Sequence, residues 1–148
     1  MEDGLERFLD AQRLGYDSAL TEIRNGKKTG HWIWYVFPQM RGLGHSSNSK
    51  YYGISSIDEA RAYLSHPVLG ARLREIAEAL LYHTGKSAEK ILGRIDALKV
   101  RSSMTLFDMV CPNDVFDRVL QEFYDGVRCK RTQSMPEGDK QVEYRCDG

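Results

Sequence analysis

The sequence predicts an all-α fold: a single compact domain of six or seven helices, interrupted by one long glycine- and serine-rich loop. Three observations carry this expectation. Apolar residues recur at spacings of three and four through most of the chain. Two capping-box patterns, Asp3-Gly-Leu-Glu6 and Ser56-Ile-Asp-Glu59, stand just ahead of such stretches. Only one segment has the aromatic and β-branched density of a strand, and a lone strand would leave its backbone groups unpaired.

The first helix places Leu5, Phe8, Leu9, Gln12, Tyr16, Ala19, Leu20 and Ile23 on one face, with Asp10, Arg13 and Asp17 opposite. Asn25-Gly26 supplies a left-handed stop after about five turns. His31 to Phe37 follows, holding both tryptophans. Such a block must be buried, since each large ring contributes about 2 kcal/mol when removed from water. Without a strand to pair with, it reads as a short helix or an extended buried segment ended by Pro38. Residues 41–55 then form the long loop, and a loop of that length in a compact domain points to a functional role or to disorder.

Ser56 starts a helix through Ala60, Tyr63 and Leu64 that Ser65-His66-Pro67 breaks. Pro67 suits the first position of the next helix, whose stripe is Leu69, Leu73, Ile76, Ala77 and Leu80. Ser87 caps a short turn through Ala88, Ile91 and Leu92. From Ile95 the stripe reads Leu98, Ser102, Leu106 and Met109, with Asp96, Lys99 and Ser103 along one edge. Asn113 or Asp114 caps a final helix carrying Phe116, Val119, Leu120 and Phe123 and ending at Gly126. The helical domain is therefore expected over 1–126, with 127–148 as a polar, loosely held tail.

Composition excludes several classes. With 21 basic and 21 acidic residues the formal charge is zero, so no net field draws the chain to double-stranded nucleic acid or an anionic membrane. The Met-Glu-Asp-Gly start lacks a signal-peptide pattern, and no apolar run approaches membrane-spanning length, so a cytoplasmic location without a membrane partner is expected. Cys111, Cys129 and Cys146 are odd in number and far apart, which favours free thiols. The histidines show no metal-ligand spacing, so no metal is expected. Gly42-Leu-Gly44 is too short for a dinucleotide fingerprint, and no cofactor is expected either.

The chemistry-bearing residues gather in and around the loop. Arg41, Lys50 and the amides and hydroxyls at Gly42, Gly44, Ser46, Ser47 and Ser49 suit an anion such as phosphate. Tyr51, Tyr52 or an exposed edge of Trp32 or Trp34 suits a flat base. Gln39 suits a hydrogen-bonding edge. Asp96 and Glu59 are the candidate acids for proton transfer or for stabilising a developing cation. Lys99, beside Asp96, has the plainer reading of a helix salt bridge. It keeps company with Arg101, Ser102 and Ser103.

The run His31-Trp-Ile-Trp-Tyr-Val-Phe-Pro-Gln39, then Gly42-Leu-Gly44 and Tyr52, resembles the signature of an uncharacterised, mainly bacterial family, a domain of unknown function whose members sometimes bear the label calpastatin. The likeness continues through Glu59-Ala-Arg-Ala-Tyr-Leu64, His66-Pro-Val-Leu-Gly-Ala-Arg-Leu73, and Asp96 with Lys99-Val-Arg-Ser-Ser-Met-Thr-Leu-Phe107. It spans roughly residues 5 to 132 and implies a mainly helical structure without an established activity. The chain departs from the pattern at Leu92-Gly-Arg-Ile-Asp96, where Phe-Gly-Ser-Pro-Asp is common, and at Cys129, which takes the place of an acid ahead of Thr132. A looser echo, in helical class and element order, is of NADAR-type N-glycosidases that act on ADP-ribose-like compounds.

Two functions are therefore expected of these residues. One is an N-glycosidase acting on a nucleotide or ADP-ribose-like molecule. His31, Gln39 and Tyr52 would orient substrate, Arg41, Lys50 and Arg101 would hold phosphate, and Asp96 or Glu59 would serve the oxocarbenium ion. The other is a non-catalytic module that binds a phosphorylated nucleoside-like molecule, or a protein, with the same surface.

Overall fold

The structure, a computed structural model, describes residues 4–135, which form nine helices and no strand. These are α1 (Glu6–Arg24), α2 (Ile33–Val36), α3 (Ser47–Tyr52), α4 (Ile57–Ser65), α5 (Leu69–Leu81), α6 (Ala88–Leu92), α7 (Arg94–Val110), α8 (Val115–Tyr124) and α9 (Lys130–Ser134). The fold is all-α. Two helices exceed the expected number: α3 lies within the loop and α9 within the supposed tail.

Helix α7 is central. It packs against α8, α6, α4, α9 and α2, and six consecutive residues, Ser102 to Phe107, are all buried. A helix covered on every side has no single apolar stripe to phase it. This explains one error of the sequence reading. Ile95 and Leu98 belong to the outer face, 65% and 54% exposed, while the inward positions near that end are Ala97 and Val100. Across the core an aromatic series joins α1, α4, α7 and α8. Phe8 meets Tyr63 edge-on at 5.0 Å, Tyr63 meets Phe107 at 5.5 Å, and Phe107 meets Phe116 at 5.9 Å. Such pairs add to the burial of each ring.

The helix ends follow local chemistry, with adjustments. Asp3 of the first capping box lies outside the described residues, and α1 begins after Leu5 without a side-chain cap. Its far end stops at Gly26, whose φ of +79° suits only glycine at low cost. There His83 Nε2 donates to the carbonyls of Ile23 and Arg24, at 2.8 and 3.1 Å. Ser56 caps α4 by accepting from the Glu59 N–H, but the Glu59 carboxylate serves the N–H and hydroxyl of Ser55, one residue earlier than a capping box requires. Helix α5 starts at Leu69 rather than Pro67, because His66 Nδ1 accepts from the Val68 and Leu69 N–H groups. Its second residue, Gly70, is pressed against α4. A Cβ there would lie 2.0 Å from the Leu64 carbonyl oxygen.

The chain does not loosen at residue 127. Arg128 Nη2 binds Asp108 at 3.1 Å and Asp117 at 2.6 Å, and the Cys129 N–H donates to Thr105 Oγ1 at 3.0 Å. Thr132, fully buried, seats α9 against α7. Order therefore extends past residue 126, and the rest of the expected tail, 136–148, lies outside the described residues. Of the cysteines expected to be free thiols, Cys129 is free and buried.

Two predictions follow from these contacts. Glycine to alanine in a helix normally gains about 1 kcal/mol. Gly70→Ala is expected instead to destabilise the fold, because backbone rather than a mobile side chain stands in the way. Urea denaturation that shows a gain would contradict this. The second concerns Glu59, paired with Arg7 at 3.3 Å with both side chains largely covered. Burial alone would raise its pKa, but the Arg7 guanidinium and the Ser55 donors outweigh burial and hold it below the ordinary 4.5. A carboxyl lowered in the folded state stabilises above its unfolded value, and that contribution is lost as pH falls through the lower folded value. Glu59→Gln should thus cost about 3 kcal/mol at neutral pH. The gap from wild type should shrink below pH 4.5. A gap that does not change with pH would contradict the assignment.

Candidate functional site

The segment after α2 is a closed loop rather than a structureless one. The Arg41 N–H donates to the Ile54 carbonyl at 2.8 Å and the Ile54 N–H to the Gln39 carbonyl at 2.9 Å, an isolated parallel bridge between two buried residues, Met40 and Ile54. Gly53 makes the approach possible, since a Cβ there would stand 2.7 Å from the Arg41 Cα. Inside the loop, Ser46 caps α3 by accepting from the Ser49 N–H. Arg7, reaching from α1, donates to the Tyr51 carbonyl at 2.8 Å and the Gly53 carbonyl at 2.9 Å while it pairs with Glu59. The loop is pinched at its neck and clamped from below.

A second network holds α2. The Glu22 carboxylate accepts from the Thr29 N–H at 2.7 Å, the Gly30 N–H at 2.8 Å and Trp32 Nε1 at 2.9 Å. Burial raises its pKa, and these three donors overcome that and bring it below the ordinary carboxylate value. Lys28 Nζ sits 4.9 Å from the centroid of the Trp32 ring and 2.7 Å from Asp96 Oδ2. Asp96 is also 3.9 Å from Lys99 Nζ, and that ammonium lies 5.2 Å from the Trp34 ring centroid. Charges and indoles thus alternate from α1 through α2 to the start of α7.

Between these supports lie two joined depressions. The inner one is a slot of about 10 Å3, room for a single water-sized group, lined by Trp34, Phe37, Gln39, Asn48, Ser49, Tyr52 and Lys99 among others. The outer one is a groove of about 280 Å3 bordered by Leu43, Gly44, Ile95, Leu98, Ser102, Cys129 and Arg131. Gln39 and Lys99 line both. Trp34 is only half-buried, yet its indole N–H is covered and has no hydrogen-bond partner. Burial, helped by the nearby Tyr51, raises the Tyr52 phenol above its ordinary pKa, so it stays a neutral donor and acceptor.

Seven of the residues singled out from the sequence meet here: Trp34, Gln39, Gly44, Ser49, Tyr52, Lys99 and Ser102. Others are placed elsewhere. Trp32 is core, 3% exposed. Arg41 turns back onto the loop, donating to the Lys50 and Gly53 carbonyls. His31, Gly42, Ser46, Lys50 and Tyr51 are exposed and line neither depression. Ser103 is fully buried and Arg101 Nε is covered. Glu59 is occupied with Arg7 beneath the loop. Asp96 sits behind Lys99 and borders a separate shallow depression formed with Leu92, Gly93, Arg94 and Ile95. Among the described residues no three His, Cys, Asp or Glu side chains are grouped to hold a metal. No helix there is long and apolar enough to cross a membrane.

Sequence reasoning missed Asn48, Leu43, Ile95, Leu98, Cys129 and Arg131. Ile95 and Leu98 were assigned to the core stripe of a helix that has none. Cys129 and Arg131 fell in the segment read as tail, although Cys129 had drawn notice by standing where an acid is common.

A family model described as "Protein of unknown function (DUF1810)" matches residues 2–135. No curated protein matches the chain. The fold is similar to the crystal structure of the conserved hypothetical protein Rv1873 from Mycobacterium tuberculosis, with 46% identity over 88% of this chain and 94% of that one and a TM-score of 0.86. By a match that spans all of the described residues, the chain belongs to the DUF1810 family of proteins of unknown function.

Proposed function

We propose that the chain binds a small anionic molecule with a flat ring, of the phosphorylated-nucleoside type, in the groove between α2, α3, α7 and α9. The observation that carries this reading is the convergence at the slot of an indole with an unpartnered N–H, two side-chain amides, a neutral phenol and a lysine. A buried donor left unmade costs about 1–3 kcal/mol, which an acceptor on a ligand would return. Gln39 and Asn48 offer paired donors and acceptors for a ring edge, and Trp34 offers a stacking surface. Lys99 and Arg131 supply positive charge along the larger groove, whose volume approaches the range of small-ligand sites.

A second reading, N-glycosidase activity, rests on Asp96. Two lysines keep its carboxylate company, and one of them lines the slot. A carboxylate near a bound sugar would stabilise positive charge developing there.

A screen of nucleoside phosphates and dinucleotides by thermal shift tests the first reading. A ligand at a hundredfold excess over its Kd adds about 2.7 kcal/mol of apparent stability. Trp34→Ala should weaken binding by about 1–3 kcal/mol, the scale of one base stacked on an aromatic ring. Arg41→Ala and Lys50→Ala, outside the groove, should leave the shift nearly intact. A panel that gives no shift overturns the reading, and a shift abolished by Arg41→Ala but not Trp34→Ala moves the site to the loop tip. For the second reading, base release measured by chromatography should fall about a hundredfold in Asp96→Asn while the thermal shift persists. Turnover unaffected by Asp96→Asn would remove that residue from the chemistry.

A further inference from the structure

The slot beside Trp34 is too small for a ring. At about 10 Å3 it takes one non-hydrogen atom, while the adjoining groove of about 280 Å3 has room for a ring and carries the exposed apolar residues Ile95 and Leu98 on its border. Gln39 and Lys99 line both, so a ring lying in the groove would pass one substituent between them into the slot. The polar groups around the slot are uncommitted. Among the described residues, the Gln39 and Asn48 amides and the Tyr52 hydroxyl make no hydrogen bond, and neither does the Trp34 N–H. Lys99 Nζ stands 3.9 Å from Asp96, beyond hydrogen-bond distance. Ser49, 8% exposed, accepts from Ser46 Oγ at 3.0 Å and keeps its own hydroxyl hydrogen to donate.

We propose that the slot reads an exocyclic oxygen on the ligand's ring, so that the site selects oxo bases, of the hypoxanthine or uracil type, over their amino counterparts. The inference rests on the nucleotide reading above and names which rings it admits. The balance of donors decides it. An amide can turn either end toward a ligand and a phenol can donate or accept, so Gln39, Asn48 and Tyr52 suit an oxygen or an amino group equally. Lys99 and Trp34 can only donate, and Ser49 has its donor to spare. An oxygen entering the slot meets a surplus of donors, one of them charged, and charge-assisted hydrogen bonds are the stronger kind. An amino group brings its hydrogens toward an ammonium and an indole N–H that have no lone pair to offer. It also gives up its water in a space that holds nothing else, and a donor left unmade is costly.

Calorimetric titration of the whole chain with inosine and adenosine monophosphates compares two ligands that share a ribose phosphate, so attraction to the phosphate cancels. The inosine compound should bind about tenfold more tightly, the scale of one hydrogen bond to a charged donor. Uridine and cytidine monophosphates should differ in the same direction. Lys99→Met keeps an unbranched stem near Trp34 and removes the donor. It should bring the ratio of the inosine and adenosine affinities toward one by weakening the inosine compound more. The wild-type comparison stands whether or not that variant folds. Equal affinities within each pair, or tighter binding of the amino member, overturn the proposal and leave the nucleotide reading in place. A ratio unchanged in Lys99→Met overturns it too, because the lysine would then hold the phosphate instead. If no member of either pair binds, the nucleotide reading falls and this inference falls with it.

Discussion

Two backbone hydrogen bonds, Arg41 to Ile54 and Ile54 to Gln39, determine what the surface of this protein can do. They cross where Gly53 lets two stretches of chain touch, and they turn the segment between them into a closed, rigid feature. Without the crossing, Asn48, Ser49 and Tyr52 would have no reason to face Trp34 and Lys99. Arg7 makes the same point from below, since one guanidinium holds two carbonyls of the loop and the carboxylate at the start of α4. A charged group that completes several hydrogen bonds at once offsets the cost of its own burial, which a lone ion pair seldom does. Glu59 is on this account a support of the loop.

The other support is the alternating series from Glu22 through Trp32, Lys28, Asp96 and Lys99 to Trp34. The two indoles are neighbours in sequence with opposite situations. Trp32 is core with its N–H satisfied by Glu22, while Trp34 sits at the slot with its N–H unmet. Packing explains the first completely. It leaves the second with an indole N–H that is covered and unused, and that is why the proposed ligand is centred on it.

Much of the fold was legible because its determinants are local. The face of α1, the Ser56 and Ser87 caps, the left-handed stop at Gly26 and the break near Pro67 are all short-range chemistry. Asking what it would pair with turns the aromatic anchor from a strand into a short helix or an extended segment, and the structure holds the short helix Ile33–Val36. What failed depended on partners distant in sequence. The phase of α7 could not be read, because every side of its middle is covered by another helix. Helix α9 was invisible because its hold on α7 rests on Thr132, Thr105 and Arg128 rather than on an apolar stripe. The site was half legible for the same reason. Trp34, Gln39, Tyr52 and Lys99 announced themselves by type, but Arg41 and Lys50 look identical to ligand-binding cations until the loop is seen to fold back on Arg41 and leave Lys50 outside.

The central claim, that the exposed chemistry of this fold converges at Trp34, is tested most directly by the two indole N–H resonances in a proton–nitrogen correlation spectrum. Titration with a nucleoside phosphate should shift the Trp34 signal progressively and saturably. The Trp32 signal, held by Glu22, should stay in place. Both signals unmoved at every nucleotide tried, or Trp32 moving as far as Trp34, would contradict the account.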